Sequence, residues 1–129
     1  MSEKISFKKD ERGLLVPLDF DALPFVPKRS FFIKDVPKNT TRGRHAHYKT
    51  KQFIICLAGE IQATLDDGFK KEKQLLREGD TLFHDSLEWG EFVFLSGKEQ
   101  MWVFCSTPYD SSDYIFDYEE FINIIREGN

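Results

Sequence analysis

Turn signals punctuate this chain at short, regular intervals, and they constrain the fold more than any other feature. Asp66-Asp67-Gly68 and Ala58-Gly59-Glu60 carry the residue types of tight hairpins, and Arg77-Glu78-Gly79-Asp80 and Ser96-Gly97-Lys98 mark two further turns. Between them lie segments too short for ordinary helices and rich in β-branched and aromatic residues. Leu14–Leu18, Arg29–Ile33, Gly43–Tyr48, Gln52–Leu57, Glu60–Leu65, Lys70–Leu76, Thr81–His84, Glu91–Leu95 and Gln100–Cys105 are expected to be strands. Only 117–126 has helical spacing, with Tyr118, Phe121, Ile122 and Ile125 on one face, as a lid or brace. The expectation is an all-β sandwich or barrel formed by one domain spanning 1–129.

A chain of 129 residues with 40% hydrophobic residues can bury a real core. Its formal charge of −4 offers no general attraction to nucleic acid or to an anionic membrane surface. The first ten residues hold no apolar run of signal-peptide length, and no stretch approaches a membrane span, so a cytoplasmic location is expected. Cys56 and Cys105 stand in apolar runs and read as free core thiols of a reducing compartment.

His45 and His47 carry the chemistry. Alternation along a strand turns both to one face and Ala46 to the other, so the two imidazoles share one small volume. Such a pair suits proton transfer or metal ligation equally. The spacing His-x-His, then Gln52, then Gly59 resembles the first motif of the cupin superfamily, whose small jelly-roll β-barrels hold a metal with two His, a Glu and a later His. Here Gln52 stands at the Glu position and Gly90 at that of the third His. Two imidazoles and a neutral amide make a poor metal site, so acid/base chemistry with no metal or cofactor is the favoured reading.

The run Arg42-Gly43-Arg44-His45-Ala46-His47-Tyr48-Lys49, followed by Gln52 to Cys56, Leu65-Asp66-Asp67-Gly68, Tyr109-Asp110 and Asp113-Tyr114, narrows the likeness. With Arg12-Gly13 and Lys28-Arg29, it resembles the nucleotide-sugar 3,4-ketoisomerases over nearly the whole chain. Many members of that family carry Trp-His in the second motif, where this chain has Trp89-Gly90. The resemblance implies a cupin-type barrel with a short C-terminal helix and a homodimer, with exchange of N-terminal strands open. It also implies isomerisation of TDP-4-keto-6-deoxy-D-glucose to a 3-keto sugar, on a route to a 3-amino-3,6-dideoxy sugar. One of His45 and His47 would then be the carbon base and the other a donor to the enolate oxygen. Arg12, Arg29 and Arg42 are candidates for the diphosphate, Trp89 for the thymine, and Gln52 for orienting an imidazole or the sugar. A 3,5-epimerase-like enzyme, a metal-dependent cupin and a non-catalytic sugar-nucleotide-binding barrel are the alternatives.

Overall fold

The computed structural model describes residues 5–127. Eleven strands run in the order β1 (Lys8–Asp10), β2 (Gly13–Leu15), β3 (Arg29–Lys34), β4 (Thr40–His47), β5 (Gln52–Ala58), β6 (Ile61–Asp66), β7 (Lys71–Leu76), β8 (Thr81–His84), β9 (Trp89–Phe94), β10 (Gln100–Cys105) and β11 (Tyr114–Ile115). Helix α1 (Tyr118–Glu127) follows. The nine strands expected from sequence all have counterparts. The first is shorter than expected, at Gly13–Leu15, and β1 and β11 are additional.

All pairings are antiparallel. One sheet has the order β3-β10-β5-β8 and the other β11-β4-β9-β6-β7. Strands β3 to β10 thus pass back and forth between two facing sheets as a jelly roll, in agreement with the expected cupin-type barrel. Alternate residues of both sheets fill the space between them, among them Ile54, Cys56, Ile61, Leu82, Phe92, Phe94, Met101 and Val103.

The outer face of the first sheet is apolar as well. Ile55, Phe104 and Trp102 are covered there by Ile5, Phe7, Leu18, Leu23 and Phe25 of the N-terminal segment. On the outer face of the second sheet lies α1, whose Phe121 and Ile125 pack against Ala46, Trp89 and Ile115. Asp117 accepts from the Glu119 amide at 2.9 Å to start this helix, and Arg126 donates to the Gly68 carbonyl at 2.8 Å to fasten its end. The helix is therefore a brace on the barrel wall.

Phe121 is fully buried, so Phe121→Ala removes the centre of this contact. The variant is expected to lose about 3 kcal/mol of unfolding free energy in urea titration; an unchanged midpoint would show that α1 does not brace the barrel.

Candidate active site

A β-bulge builds the site. Strict alternation would put Arg42 and His45 on opposite faces of β4, because they are three residues apart. Gly43 opposes Glu91 and His45 opposes Gly90, so Arg44 is an extra residue between consecutive partners on β9. Gly43 and Arg44 take φ values of +92° and +59° to accommodate it. A side chain on Gly43 would meet the Gly90 carbonyl at 2.9 Å, so glycine is needed here for both conformation and space. The bulge resets the phase of the strand and turns Arg42 and His45 into the same cavity.

That cavity, about 480 Å³, opens between the two sheets. Arg29 and Phe31 of β3, Arg42 and His45 of β4, and Gln52 of β5 line it, with Tyr114 and Phe116 at one side. Two arginines beside an imidazole and several aromatic rings suit an anionic ligand with a polar, enolisable end.

Three imidazoles converge behind this wall. The ring centres of His45 and His47 are 4.8 Å apart and nearly perpendicular, and His84 lies 6.5 Å from His45 and 6.0 Å from His47. Burial lowers the pKa of each ring. For His45 the Gly43 backbone, a hydrogen-bond acceptor, offsets part of that effect, and the nearby Arg42 charge adds to it. His47 is held down to about 3, first by burial and then by its histidine neighbours, and His84 to about 4, chiefly by burial. His47 is only 1% exposed, and neither of its ring nitrogens has a hydrogen-bond partner among the described residues. His84 uses both nitrogens, one 2.7 Å from the Glu88 carbonyl and the other 3.3 Å from the Gln52 side-chain amide. With His84 engaged in this way, a cation would find only His45, His47 and a neutral amide. No metal-binding group of three or more His, Cys, Asp or Glu side chains occurs among the described residues.

The expected site residues separate into two sets. His45, Gln52, Arg29 and Arg42 line the cavity, and His47 sits behind His45. Trp89 does not reach it. The residue beside it, Gly90, faces inward, so Trp89 points outward, where its ring packs on Tyr118 and Phe121 and its indole N–H donates to Glu91 at 2.9 Å. Arg12 also lies apart, on the exposed β1–β2 hairpin, paired with Asp10 at 2.6 Å. Sequence reasoning missed Tyr114 as a wall of the site. Buried Asp113 explains its placement: the carboxylate accepts from the Lys49 amide at 2.9 Å and the Thr50 amide at 3.0 Å, anchoring β11 alongside His47. Tyr114 stacks on Phe116 and touches both His45 and His47 with its ring.

Residues 2–126 match the family model described as FdtA: WxcM-like, C-terminal. The chain belongs to this family. It is 37% identical, over 96% of both chains, to a TDP-4-oxo-6-deoxy-alpha-D-glucose-3,4-oxoisomerase of Aneurinibacillus thermoaerophilus. Among solved structures it is similar to the sugar 3,4-ketoisomerase QdtA from Thermoanaerobacterium thermosaccharolyticum in complex with TDP, with a TM-score of 0.88 and 29% identity over 99% of this chain and 95% of that one. A histidine-to-asparagine mutant of QdtA was solved in complex with TDP-4-keto-6-deoxyglucose. WlaRA, a TDP-fucose-3,4-ketoisomerase from Campylobacter jejuni, gives a TM-score of 0.86 at 28% identity, over 98% and 96% of the two chains.

Neutral His47 and His84 have an observable consequence. Their ring resonances are expected to stay unshifted as pH is lowered from 8 to about 5 in NMR, whereas an unperturbed histidine titrates near ~6.5. A midpoint near that value for either ring would contradict the buried, uncharged state.

Proposed function

We propose that this FdtA-family protein is an isomerase that converts TDP-4-keto-6-deoxy-D-glucose to the TDP-3-keto-6-deoxyhexose, with His45 as the carbon base. The observation that carries this reading is the presence of one uncharged imidazole, His45, on the same cavity wall as Arg42 and across from Arg29. The family relationship supplies the reaction, and the cavity supplies the parts it needs.

The carbonyl at carbon 4 acidifies the hydrogen on carbon 3. His45 takes that proton, the electrons of the carbon–hydrogen bond form the carbon 3–carbon 4 double bond, and the former carbonyl oxygen becomes an enediolate oxygen. The proton of the carbon 3 hydroxyl passes to the carbon 4 oxygen; the imidazolium, after exchanging with solvent, then gives a proton to carbon 4 as the oxygen on carbon 3 becomes the new carbonyl, so one base serves both carbons. His47, buried behind His45, acts through it by holding its ring edge-to-face; it does not act on the sugar directly. Arg29 and Arg42 hold the diphosphate, whose geometry matches guanidinium donors, and Gln52 orients the sugar. The product is of the kind a 3-aminotransferase consumes, on a route to a 3-amino-3,6-dideoxy sugar, and the chain works in the cytoplasm. No helix among the described residues is long and apolar enough to cross a membrane.

Incubation with TDP-4-keto-6-deoxy-D-glucose in deuterium oxide, followed by NMR, tests the reaction. Deuterium at carbon 4 of a 3-keto product is expected. Label at carbon 5 would indicate an epimerase, and TDP binding without turnover a binding barrel. His45→Asn is expected to lower kcat by about 10²–10⁴-fold with TDP affinity retained. Because burial lowers the His45 pKa and the base must be unprotonated, the rate should fall with acid only below pH ~6.5.

The active unit is a homodimer that exchanges the N-terminal strands β1 and β2. Leu14 and Leu15 are 45% and 62% exposed on the β1–β2 hairpin, which pairs with neither main sheet, and Arg12 at its tip is not among the residues that line its own cavity. Exchange would cover the leucines and bring Arg12 to the partner's substrate. Co-refolding Arg12→Ala with His45→Asn is expected to yield activity well above that of either variant alone, since one of the two mixed sites would be intact; no gain would exclude a shared site.

A further inference from the structure

Gly90 sits inside β9 without a positive φ, so its backbone does not call for glycine. His84 does. A side chain begun at position 90 would lie 2.7 Å from His84 Cε1 and 3.0 Å from its Nε2. The imidazole carried by β8 fills the space that a β9 side chain would occupy, directly across the ladder from His45.

The partners of this ring fix its hydrogen-bonding pattern. The Glu88 carbonyl can only accept, so Nε2, 2.7 Å away, carries the proton. Burial keeps the ring uncharged, which leaves a lone pair on Nδ1. With the Gln52 side-chain oxygen as the atom 3.3 Å from Nδ1, two acceptors would face and repel each other. Rotating the amide by half a turn removes the conflict. The Gln52 NH₂ then donates to His84. Its oxygen turns to Cys105 Sγ, 3.6 Å away, a thiol that burial keeps protonated and able to donate.

We propose that His84 is a positioning residue for the isomerisation: seated in the side-chain space of Gly90, it locks the Gln52 amide end-for-end, so that Gln52 meets the sugar with a single hydrogen-bonding polarity. The role rests on the reading of the His45 cavity as the isomerase site. Glu88 anchors the far side of the ring, and Cys105 completes the chain of donors and acceptors behind the cavity wall.

Three variants test it, with steady-state kinetics, TDP titration and thermal melting for each. His84→Leu fills the space without accepting a hydrogen bond, and Gly90→Ala displaces the ring; both should lower kcat about tenfold, the loss of roughly one orienting hydrogen bond. Their TDP affinity should stay within about twofold of the parent, since the arginines that bind it are untouched. His84→Gln can accept from Gln52 and donate to Glu88 at once, and should recover most of the kcat lost in His84→Leu. Long-range ¹⁵N NMR of the unmodified protein should show the Nε2–H tautomer at His84. A kcat for His84→Leu within about twofold of the parent, no recovery in His84→Gln, or the Nδ1–H tautomer would overturn the proposal. Absence of isomerisation by the unmodified protein would count against the parent reading instead, and the tautomer would still judge His84.

Discussion

The extra residue at Arg44 decides what this barrel can do. A regular β4 would carry Arg42 and His45 on opposite faces, one toward the outer layers and one toward the interior. The bulge places the Arg42 guanidinium and the His45 imidazole on one wall, and glycine at 43 makes it possible by accepting φ +92° within reach of the Gly90 carbonyl. Everything else in the site is arranged around that wall. β3 and β5 of the facing sheet bring Arg29 and Gln52, and the Asp113 carboxylate ties the β4–β5 turn to β11 so that Tyr114 closes the side.

The same packing sets the charge state of the histidines. Rings with centres within 6.5 Å of one another in an apolar interior resist becoming charged, because burial and mutual repulsion act in the same direction. Uncharged imidazoles are what carbon acid chemistry at neutral pH requires. Of the three, His45 alone lines the cavity, which turns a question of two equivalent histidines into a division between one that faces the cavity and two that stand behind it.

Much of this was legible in the sequence where local chemistry dictates structure. The Asp66-Asp67-Gly68 hairpin, the amphipathic C-terminal helix and the shared face of His45 and His47 follow from turn propensity and simple periodicity, and all appear in the fold. Features that depend on phase or on distant partners were not legible. Arg42 was expected at the site as a candidate for the diphosphate, yet alternation alone would have turned it away from His45; the shifted register and the two positive φ values reveal the bulge. Trp89 was assigned to the cavity and Gly90 left without a role, whereas the face of β9 puts Gly90 inside and Trp89 beneath α1. β11 is two residues long and held by a carboxylate from a neighbouring turn, a length at which no strand pattern can be read. The pairing of His84 with Gly90 joins two strands that are not neighbours in either sheet, so spacing along the chain could not disclose it.

The most direct measurement is the crystal structure of the His45→Asn protein with TDP-4-keto-6-deoxy-D-glucose bound. The account predicts the diphosphate against Arg42 and Arg29, with carbon 3 of the sugar about 3–3.5 Å from the residue-45 side chain. A sugar that presents carbon 3 to another residue, or a diphosphate held away from Arg42, would contradict it.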